Sequence, residues 1–129
     1  MTDSRVREQG GVKTILLVED DVNIGEVLVQ AISQETPYMV VLATSGSQAL
    51  EIAHSIKSNL FILDYQLPQM NGIELYDQLQ AMPQLNNVPT IMISALLPRQ
   101  ELAKRSAIRA MQKPIDLDEF LEAIESLIA

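Results

Sequence analysis

Acidic residues follow two apolar segments of the sequence, each at the point where the segment ends. Glu19, Asp20 and Asp21 come directly after the apolar run 14–18, and Asp64 comes directly after the apolar run 60–63. Carboxylates that lie close together repel one another, and either a proton or a bound cation relieves the repulsion. A hard divalent cation such as Mg²⁺ commonly takes one or two protein carboxylates and keeps several waters. The acids therefore predict a cation site with a carboxylate that can act as a nucleophile.

A hydroxyl and an amine stand at the ends of two further apolar segments. Ser94 ends the run 88–94, and Lys113 follows the short run 110–112. A phosphoryl group in transfer spreads its negative charge over its equatorial oxygens, so a hydroxyl donor, an ammonium group and a cation all stabilise it. Together with these groups, Asp64 is predicted to be a phosphoryl acceptor.

The apolar segments themselves are predicted to be strands of one parallel sheet. The predicted strands are 14–18, 39–44, 60–64, 88–94 and 110–112. The segment 60–63 is apolar at every position, which is typical of a central strand that is covered on both faces. In open sheets of this class the functional residues lie at the carboxyl ends of the strands. This places Glu19, Asp64 and Ser94 at one edge.

Helical patterns separate the predicted strands. The first helix carries apolar residues at helical spacing, namely Ile24, Val27, Leu28, Ala31 and Ile32. Residues with capping side chains precede the helices, namely Asp21, Ser45, Asn71 and Asp116. The fourth helix has the weakest pattern, with only Leu102 and Ala103 on its apolar side. Five strands alternating with helices predict an α/β fold with right-handed crossovers and helices on both faces of the sheet.

Composition limits the class of protein. The chain has 129 residues, a formal net charge of -8 and no cysteine. No apolar run is long enough to span a membrane, and the polar residues 1–12 lack the apolar block of a signal peptide. The acidic charge disfavours direct binding of nucleic acid. We expect a flexible leader at 1–12, one domain at 13–129 and a cytoplasmic protein that binds other proteins, a metal cation or both.

Five short segments of the sequence carry a resemblance to a known family. They read VEDD at 18–21, ILD at 62–64, LPQMNG at 67–72, ISA at 93–95 and KP at 113–114. As a set they resemble the signature segments of the receiver domain of two-component response regulators. The resemblance implies a flavodoxin-like (βα)₅ fold whose five-stranded parallel sheet has the order 2-1-3-4-5.

The resemblance also implies a role for each polar residue at the sheet edge. Asp20 and Asp64 would ligate Mg²⁺ directly, Glu19 would do so through water, and Gln66 would contribute its backbone carbonyl. Asp64 would accept a phosphoryl group from a phosphohistidine on a sensor histidine kinase or a histidine phosphotransfer protein. The protein would not be an enzyme, beyond catalysing the phosphorylation and dephosphorylation of its own aspartate.

The same resemblance assigns the hydroxyl and the amine. Ser94 and Lys113 would contact the phosphoryl oxygens, and the Lys113–Pro114 peptide would be cis. The sequence departs from the family at Ala110, which stands where receivers usually have a Tyr or Phe that moves on phosphorylation. Ser106 likewise stands where Gly is common, and the stretch from Ser94 to Lys113 is shorter than usual. These departures predict a non-standard switch.

Residues 95–129 are predicted to hold a surface for a downstream protein partner. Five of the nine basic residues lie in this part of the chain, namely Arg99, Lys104, Arg105, Arg109 and Lys113. The last predicted helix is acidic, so the surface would have charge of both signs. The competing interpretation is an ordinary solvated helix face.

Two other functions are compatible with parts of this pattern. A degenerate receiver would bind partners without being phosphorylated, and Ala110 favours this alternative. A haloacid-dehalogenase-type phosphotransferase or hydrolase also uses an Asp at a strand end with Mg²⁺. That class requires a second Asp two residues after the nucleophile, where this chain has Gln66, and its nucleophile follows the first strand.

Overall fold

The computed structural model describes residues 11–128 and contains five strands that alternate with five α-helices. The strands are β1 Thr14–Val18, β2 Met39–Ala43, β3 Leu60–Asp64, β4 Thr90–Ser94 and β5 Ile108–Gln112. The α-helices are α1 Val22–Glu35, α2 Gly46–Ser55, α3 Gly72–Gln80, α4 Arg99–Ala103 and α5 Leu117–Ile128, and a short 3₁₀ helix lies at Pro83–Leu85. Residues 1–10 of the predicted leader 1–12 lie outside the described part of the chain.

All five strands are parallel and form one sheet in the order β2-β1-β3-β4-β5. The predicted fold class and strand order are therefore confirmed. Every residue of β3 and β4 is buried, as expected for central strands with helices on both faces. Two separate apolar layers cover the sheet, one between the sheet and helices α1 and α5 and the other between the sheet and helices α2 and α3.

Three strand boundaries differ from the prediction. β2 ends at Ala43 rather than at residue 44. β4 begins at Thr90 rather than at residue 88, because Pro89 has no backbone N–H and the Val88 amide donates to the Leu85 carbonyl in the preceding turn. β5 begins at Ile108 rather than at residue 110. Of the two residues before the predicted start, Ile108 is half-buried and Arg109 is charged and exposed, and a single apolar residue does not predict a strand.

The predicted apolar stripe of α1 is wrong in part. Leu28 and Ile32 are buried, but Ile24 is 43% exposed and Val27 is 65% exposed. The buried side of the helix begins instead at Gly25, where a Cβ atom would lie 2.9 Å from a methyl carbon of Leu42. The helix therefore approaches the sheet most closely at a residue without a side chain. This approach turns Ile24 and Val27 toward the solvent.

The predicted helix caps are largely confirmed. Asp21 accepts hydrogen bonds from the amides of the first turn of α1, and Asn71 forms a complete capping box with Glu74 at α3. Ser45 accepts a hydrogen bond from the Gln48 amide at α2. The Gln48 side chain accepts instead from the Thr44 amide, so the capping box at α2 is incomplete.

His54, the single histidine of the chain, is exposed, as predicted.

Helix α4 is short and covers β5 poorly. It has five residues, none of them buried, and the exposed residues of β5 are Arg109, Ala110 and Gln112. Arg105 fastens the end of this helix to α3 through two hydrogen bonds to Asp77, of 2.9 Å from Nε and 2.7 Å from Nη2. These bonds lower the pKa of Asp77. Arg105 is therefore not a free cation of the predicted partner surface, whereas Arg99 and Lys104 are exposed.

None of the helices within residues 11–128 combines the length and the apolar character that a membrane span needs.

Candidate functional site

Three carboxylates meet at the carboxyl edge of the sheet. β1 pairs with β3 so that Val18 lies opposite Leu63, and the chain therefore places Glu19 and Asp64 at neighbouring strand ends. One carboxylate oxygen from each of Glu19, Asp20 and Asp64 lies within 4.8 Å of the others. Glu19 and Asp64 are buried, whereas Asp20 is exposed. This arrangement combines two desolvated acids with one acid that faces the solvent.

Each oxygen of the Asp64 carboxylate accepts a hydrogen bond. Oδ2 accepts from the Lys113 ammonium group at 3.1 Å, and Oδ1 accepts from the Gln66 backbone amide at 3.0 Å. Lys113 is placed by the end of β5, where its amide donates to the Ser94 carbonyl and where the peptide to Pro114 is cis. The ammonium group thus balances part of the negative charge of the three acids.

Glu19 is the most strongly perturbed acid of this site. Burial of its carboxyl group is the main cause and raises its pKa from the ordinary 4.5 to about 7, with a further contribution from the charge of Asp64. A hydrogen bond from the Asp21 amide to Oε2, 3.1 Å long, and the charge of Lys113 act in the opposite direction. The negative form of Glu19 is therefore costly without an additional cation.

The raised pKa predicts that Glu19→Gln stabilises the protein at pH 8 without divalent cations. Between pH 4.5 and about 7 the folded state binds more protons than the unfolded state, so the stability that Glu19 contributes falls as the pH rises through this window. Removing the charge should raise the free energy of unfolding by about 1–3 kcal/mol at pH 8, with little change at pH 4. Urea denaturation at both pH values measures the difference. The exposed Glu51→Gln serves as the control, and a Glu19→Gln protein that is less stable at pH 8 would contradict the crowded-acid description.

Ser94 lies at the same edge, but its hydroxyl is engaged elsewhere. The hydroxyl donates to the Leu96 carbonyl at 2.8 Å and accepts from the Leu96 amide at 3.1 Å. Within residues 11–128, no hydrogen bond joins this hydroxyl to Asp64. The loop that follows β4 also contacts β5, because the side-chain amide of Gln112 donates to the Ala95 carbonyl at 3.2 Å. The role of Gln112 was not predicted, because no sequence motif marks a loop contact of this kind.

The loop between β3 and α3 is held close to Asp64 by a glycine. A Cβ atom on Gly72 would lie 2.7 Å from the Asp64 carbonyl oxygen and 2.6 Å from the Met92 sulfur, so a larger residue would displace the end of β3. The Gly72 amide also donates to the Tyr65 carbonyl at 2.8 Å. Within the loop, Gln69 has a φ of 71°, the left-handed region that favours glycine. The LPQMNG segment therefore fixes the position of the carboxylate.

A largely apolar pocket of about 480 Å³ opens beside the carboxylates. Its wall includes Ile24 from α1 and Ile115 from the β5–α5 loop, while Glu19 and Lys113 line it on the side of the acids. Ile24 is part of the exposed apolar surface that the sequence pattern assigned to the core. The pocket was not predicted from the sequence, because residues from both ends of the chain form it.

The residues present fit a hard divalent cation. Oxygen atoms of three carboxylates converge within 4.8 Å, and oxygen is the donor that Mg²⁺ prefers. The buried acids would also be relieved of mutual repulsion when such a cation is bound. The site can therefore combine a cation, a carboxylate nucleophile and a lysine, which is the set of groups needed to stabilise a phosphoryl group in transfer.

Comparison with known proteins agrees with this geometry. The family model described as the response regulator receiver domain matches residues 15–125. The polar-differentiation response regulator DivK of Brucella ovis is 27% identical over 119 residues, which cover 90% of this chain and 96% of that protein.

Solved structures give the same result. The response regulator TrrA of Thermotoga maritima, in complex with Mg²⁺ and BeF, superposes with a TM-score of 0.79 and 26% identity, covering 90% of this chain and 99% of that one. A CheY-like response regulator receiver domain protein of Methanospirillum hungatei JF-1 gives a TM-score of 0.81 and 25% identity, with coverage of 91% and 94%.

Proposed function

Since the chain belongs to the response regulator receiver domain family, we propose that Asp64 accepts a phosphoryl group from a phosphohistidine of a sensor histidine kinase or a histidine phosphotransfer protein. The observation that carries this proposal is the convergence of Glu19, Asp20 and Asp64 beside the Lys113 ammonium group. Receiver domains are signalling modules of two-component systems. The protein would turn over no substrate other than its own aspartyl phosphate.

In the proposed step, a lone pair of an Asp64 carboxylate oxygen forms the new bond to phosphorus. The bond from phosphorus to the donor imidazole nitrogen breaks, and its electron pair stays on that nitrogen. Lys113 already hydrogen-bonds the carboxylate and would shift to an oxygen of the arriving phosphoryl group. The Ser94 hydroxyl would exchange its bonds to Leu96 for a second phosphoryl oxygen. Hydrolysis would return the carboxylate and release inorganic phosphate.

Mg²⁺ is the cofactor that this donor set would hold. Asp20 and Asp64 would bind it directly, Glu19 would bind it through water, and Gln66 would contribute its backbone carbonyl. When bound, the ion supplies positive charge for the transferring phosphoryl oxygens. The site would need this positive charge because Glu19 and Asp64 are buried close together. Among residues 11–128, only Lys113 forms a salt bridge with either of these acids.

The proposal is tested by incubating the purified protein with Mg²⁺ and a small phosphodonor such as acetyl phosphate. The expected result is the addition of one phosphoryl group, seen as an increase in intact mass that requires the metal and is lost on treatment with a chelator before the donor. If neither acetyl phosphate nor any phosphorylated histidine kinase labels the protein, the receiver is degenerate. The exposed Ala110 and the engaged Ser94 hydroxyl would then be its structural explanation.

The apolar pocket beside the acids is the surface we propose for the phosphodonor protein. A donor histidine must come within bonding distance of Asp64, so the protein that carries it must cover the adjoining surface. The apolar side chains of Ile24 and Ile115 line the pocket, and Ile24 is 43% exposed. Since exposed apolar groups at a site edge are typical of protein interfaces, these residues would contact the donor.

Replacing Ile24 with Glu is expected to slow transfer from a phosphorylated donor protein by about tenfold or more, because a charge would be buried in the apolar contact. Labelling by acetyl phosphate should remain at the rate of the unmodified protein, since the small donor needs no docking surface. Both rates are measured by the intact mass of samples that are quenched at successive times. The matched control is Ile56→Glu, which changes a residue of similar exposure at the C-cap of α2. Equal slowing with both donors would place Ile24 in the acceptor site rather than in the docking surface.

We also propose that the protein binds a downstream protein partner and that it is located in the cytoplasm. Residues 95–128 carry exposed charges of both signs, with Arg99, Lys104 and Arg109 on the α4–β5 side and acids on α5. The haloacid-dehalogenase-type alternative is not retained, because Gln66 lacks the acid that this class requires and the chain matches receivers. Direct binding of nucleic acid and of membranes is not part of the proposed function, in keeping with the formal charge of -8.

A further inference from the structure

The last strand of the sheet has a free backbone edge. β5 pairs with β4 alone, and the Lys113 amide donates to the Ser94 carbonyl at the end of that ladder. Because the backbone groups of successive residues in a strand point to opposite sides, the N–H and C=O groups of Ala110 and Gln112 point away from β4. No hydrogen bond within residues 11–128 uses these four groups. They are therefore available to another strand.

This edge is also accessible. In β3 and β4 every residue is buried, whereas in β5 three of the five residues are exposed. The short helix α4 does not cover the strand, and Ala110 puts a methyl group where a large aromatic ring would add cover. A groove of about 420 Å³ runs along the strand, with residues 109–112 on one side. Open, flat edges of this kind are the templates on which extended peptides bind.

The other side of the groove is acidic. It is formed by Asp116, Glu119 and Glu122, all of them exposed, and Arg109 is the one cation that lines the groove. Glu119 and Glu122 lie three positions apart on α5, where like charges destabilise a helix. Within residues 11–128 neither of them forms a salt bridge. The groove therefore offers hydrogen-bonding backbone on one wall and unbalanced negative charge on the other.

We propose that the β5 edge binds an extended segment of a partner protein that carries lysine or arginine at alternate positions. The segment would add to the sheet as a sixth strand through the backbone groups of Ala110 and Gln112. Its basic side chains on the α5 side would face Glu119 and Glu122. A second copy of this chain is a poorer occupant, since each copy has a formal charge of -8 and the pairing would bring two acidic α5 helices together. The inference deepens the downstream surface proposed above and does not require phosphorylation of Asp64.

The test uses a fluorescent peptide of about eight residues, the length of a typical strand, in which lysine and valine alternate. Anisotropy titration should show binding that weakens as salt is added. On binding, the backbone amides of Ala110 and Gln112 should be protected from hydrogen exchange. A peptide in which proline replaces the valines carries the same charge but cannot complete a ladder, so it should bind about tenfold more weakly or not at all. Equal binding of both peptides would overturn strand addition.

Variants of the protein test the acidic wall separately from the acceptor site. The pair Glu119→Lys and Glu122→Lys should weaken binding of the lysine–valine peptide by about tenfold or more while phosphorylation by acetyl phosphate is unchanged. The pair Glu26→Lys and Glu51→Lys makes the same change in net charge at exposed positions of α1 and α2 and should leave binding nearly unchanged. Equal weakening of peptide binding by both pairs of substitutions would show that binding depends only on the net charge of the protein, which would overturn the proposal. Sedimentation of the protein without peptide gives a further outcome, since a dimer whose stability changes with Glu119→Lys and Glu122→Lys would make a second copy the occupant of this edge and overturn the proposal.

Discussion

The Asp64→Asn variant is expected to take up no phosphoryl group from any donor. An amide oxygen is a poor nucleophile, and Glu19, the other buried acid of the cluster, has a pKa raised to about 7 and already accepts a hydrogen bond from the Asp21 amide. The variant should keep its fold, since Asn has the shape of Asp and its side-chain oxygen can still accept from the Gln66 amide. Intact mass after incubation with Mg²⁺ and acetyl phosphate measures the effect, which we expect to be complete.

Asp21→Asn is the matched control for this loss of labelling. Asp21 belongs to the same acidic segment, but it caps α1, and Asn is an equally good capping residue. This variant should therefore be labelled as the unmodified protein is. If Asp64→Asn still gains a phosphoryl group that peptide mapping places on Asp20 or Glu19, the assignment of the acceptor is wrong, although the site is not.

Replacement of Lys113 by Met is expected to lower the rate of phosphorylation by about 10²–10³-fold. The Lys113 ammonium group lies 3.1 Å from Oδ2 of Asp64, at an edge where three carboxylates converge. Methionine keeps most of the side-chain volume and removes the charge, so the oxygens of the phosphoryl group would lose a fixed donor. The initial rate of labelling at saturating Mg²⁺ measures this loss.

Two further variants separate this effect from general changes of charge. Lys57→Met removes an exposed cation that follows α2 and should leave the rate unchanged. Lys113→Arg keeps the charge but changes the geometry of the donor, and we expect it to recover only part of the rate. A Lys113→Met protein that is labelled at the normal rate would show that the lysine has only a structural role, as the counterion of Asp64.

The fold class and the location of the candidate site could be predicted from the pattern of apolar segments and from the polar residues that follow them. Residues 60–63 are apolar on both faces, and a segment of this kind is stable only between two helical layers, so β3 had to be central. Parallel strands then bring the residues at their carboxyl ends to one edge. For this reason the meeting of Glu19, Asp64 and Lys113 follows from their positions in the chain.

Which side chains face one another could not be predicted from the sequence. Ile24 was predicted to be buried, but Gly25 sets how α1 meets Leu42, and the helix is turned accordingly. The Ser94 hydroxyl lies at the predicted edge, yet its two hydrogen bonds go to Leu96. The free edge of β5 depends on how little of the strand the five residues of α4 cover. Each of these features arises from packing between segments that are distant in sequence, and hydrophobic periodicity carries no information about such contacts.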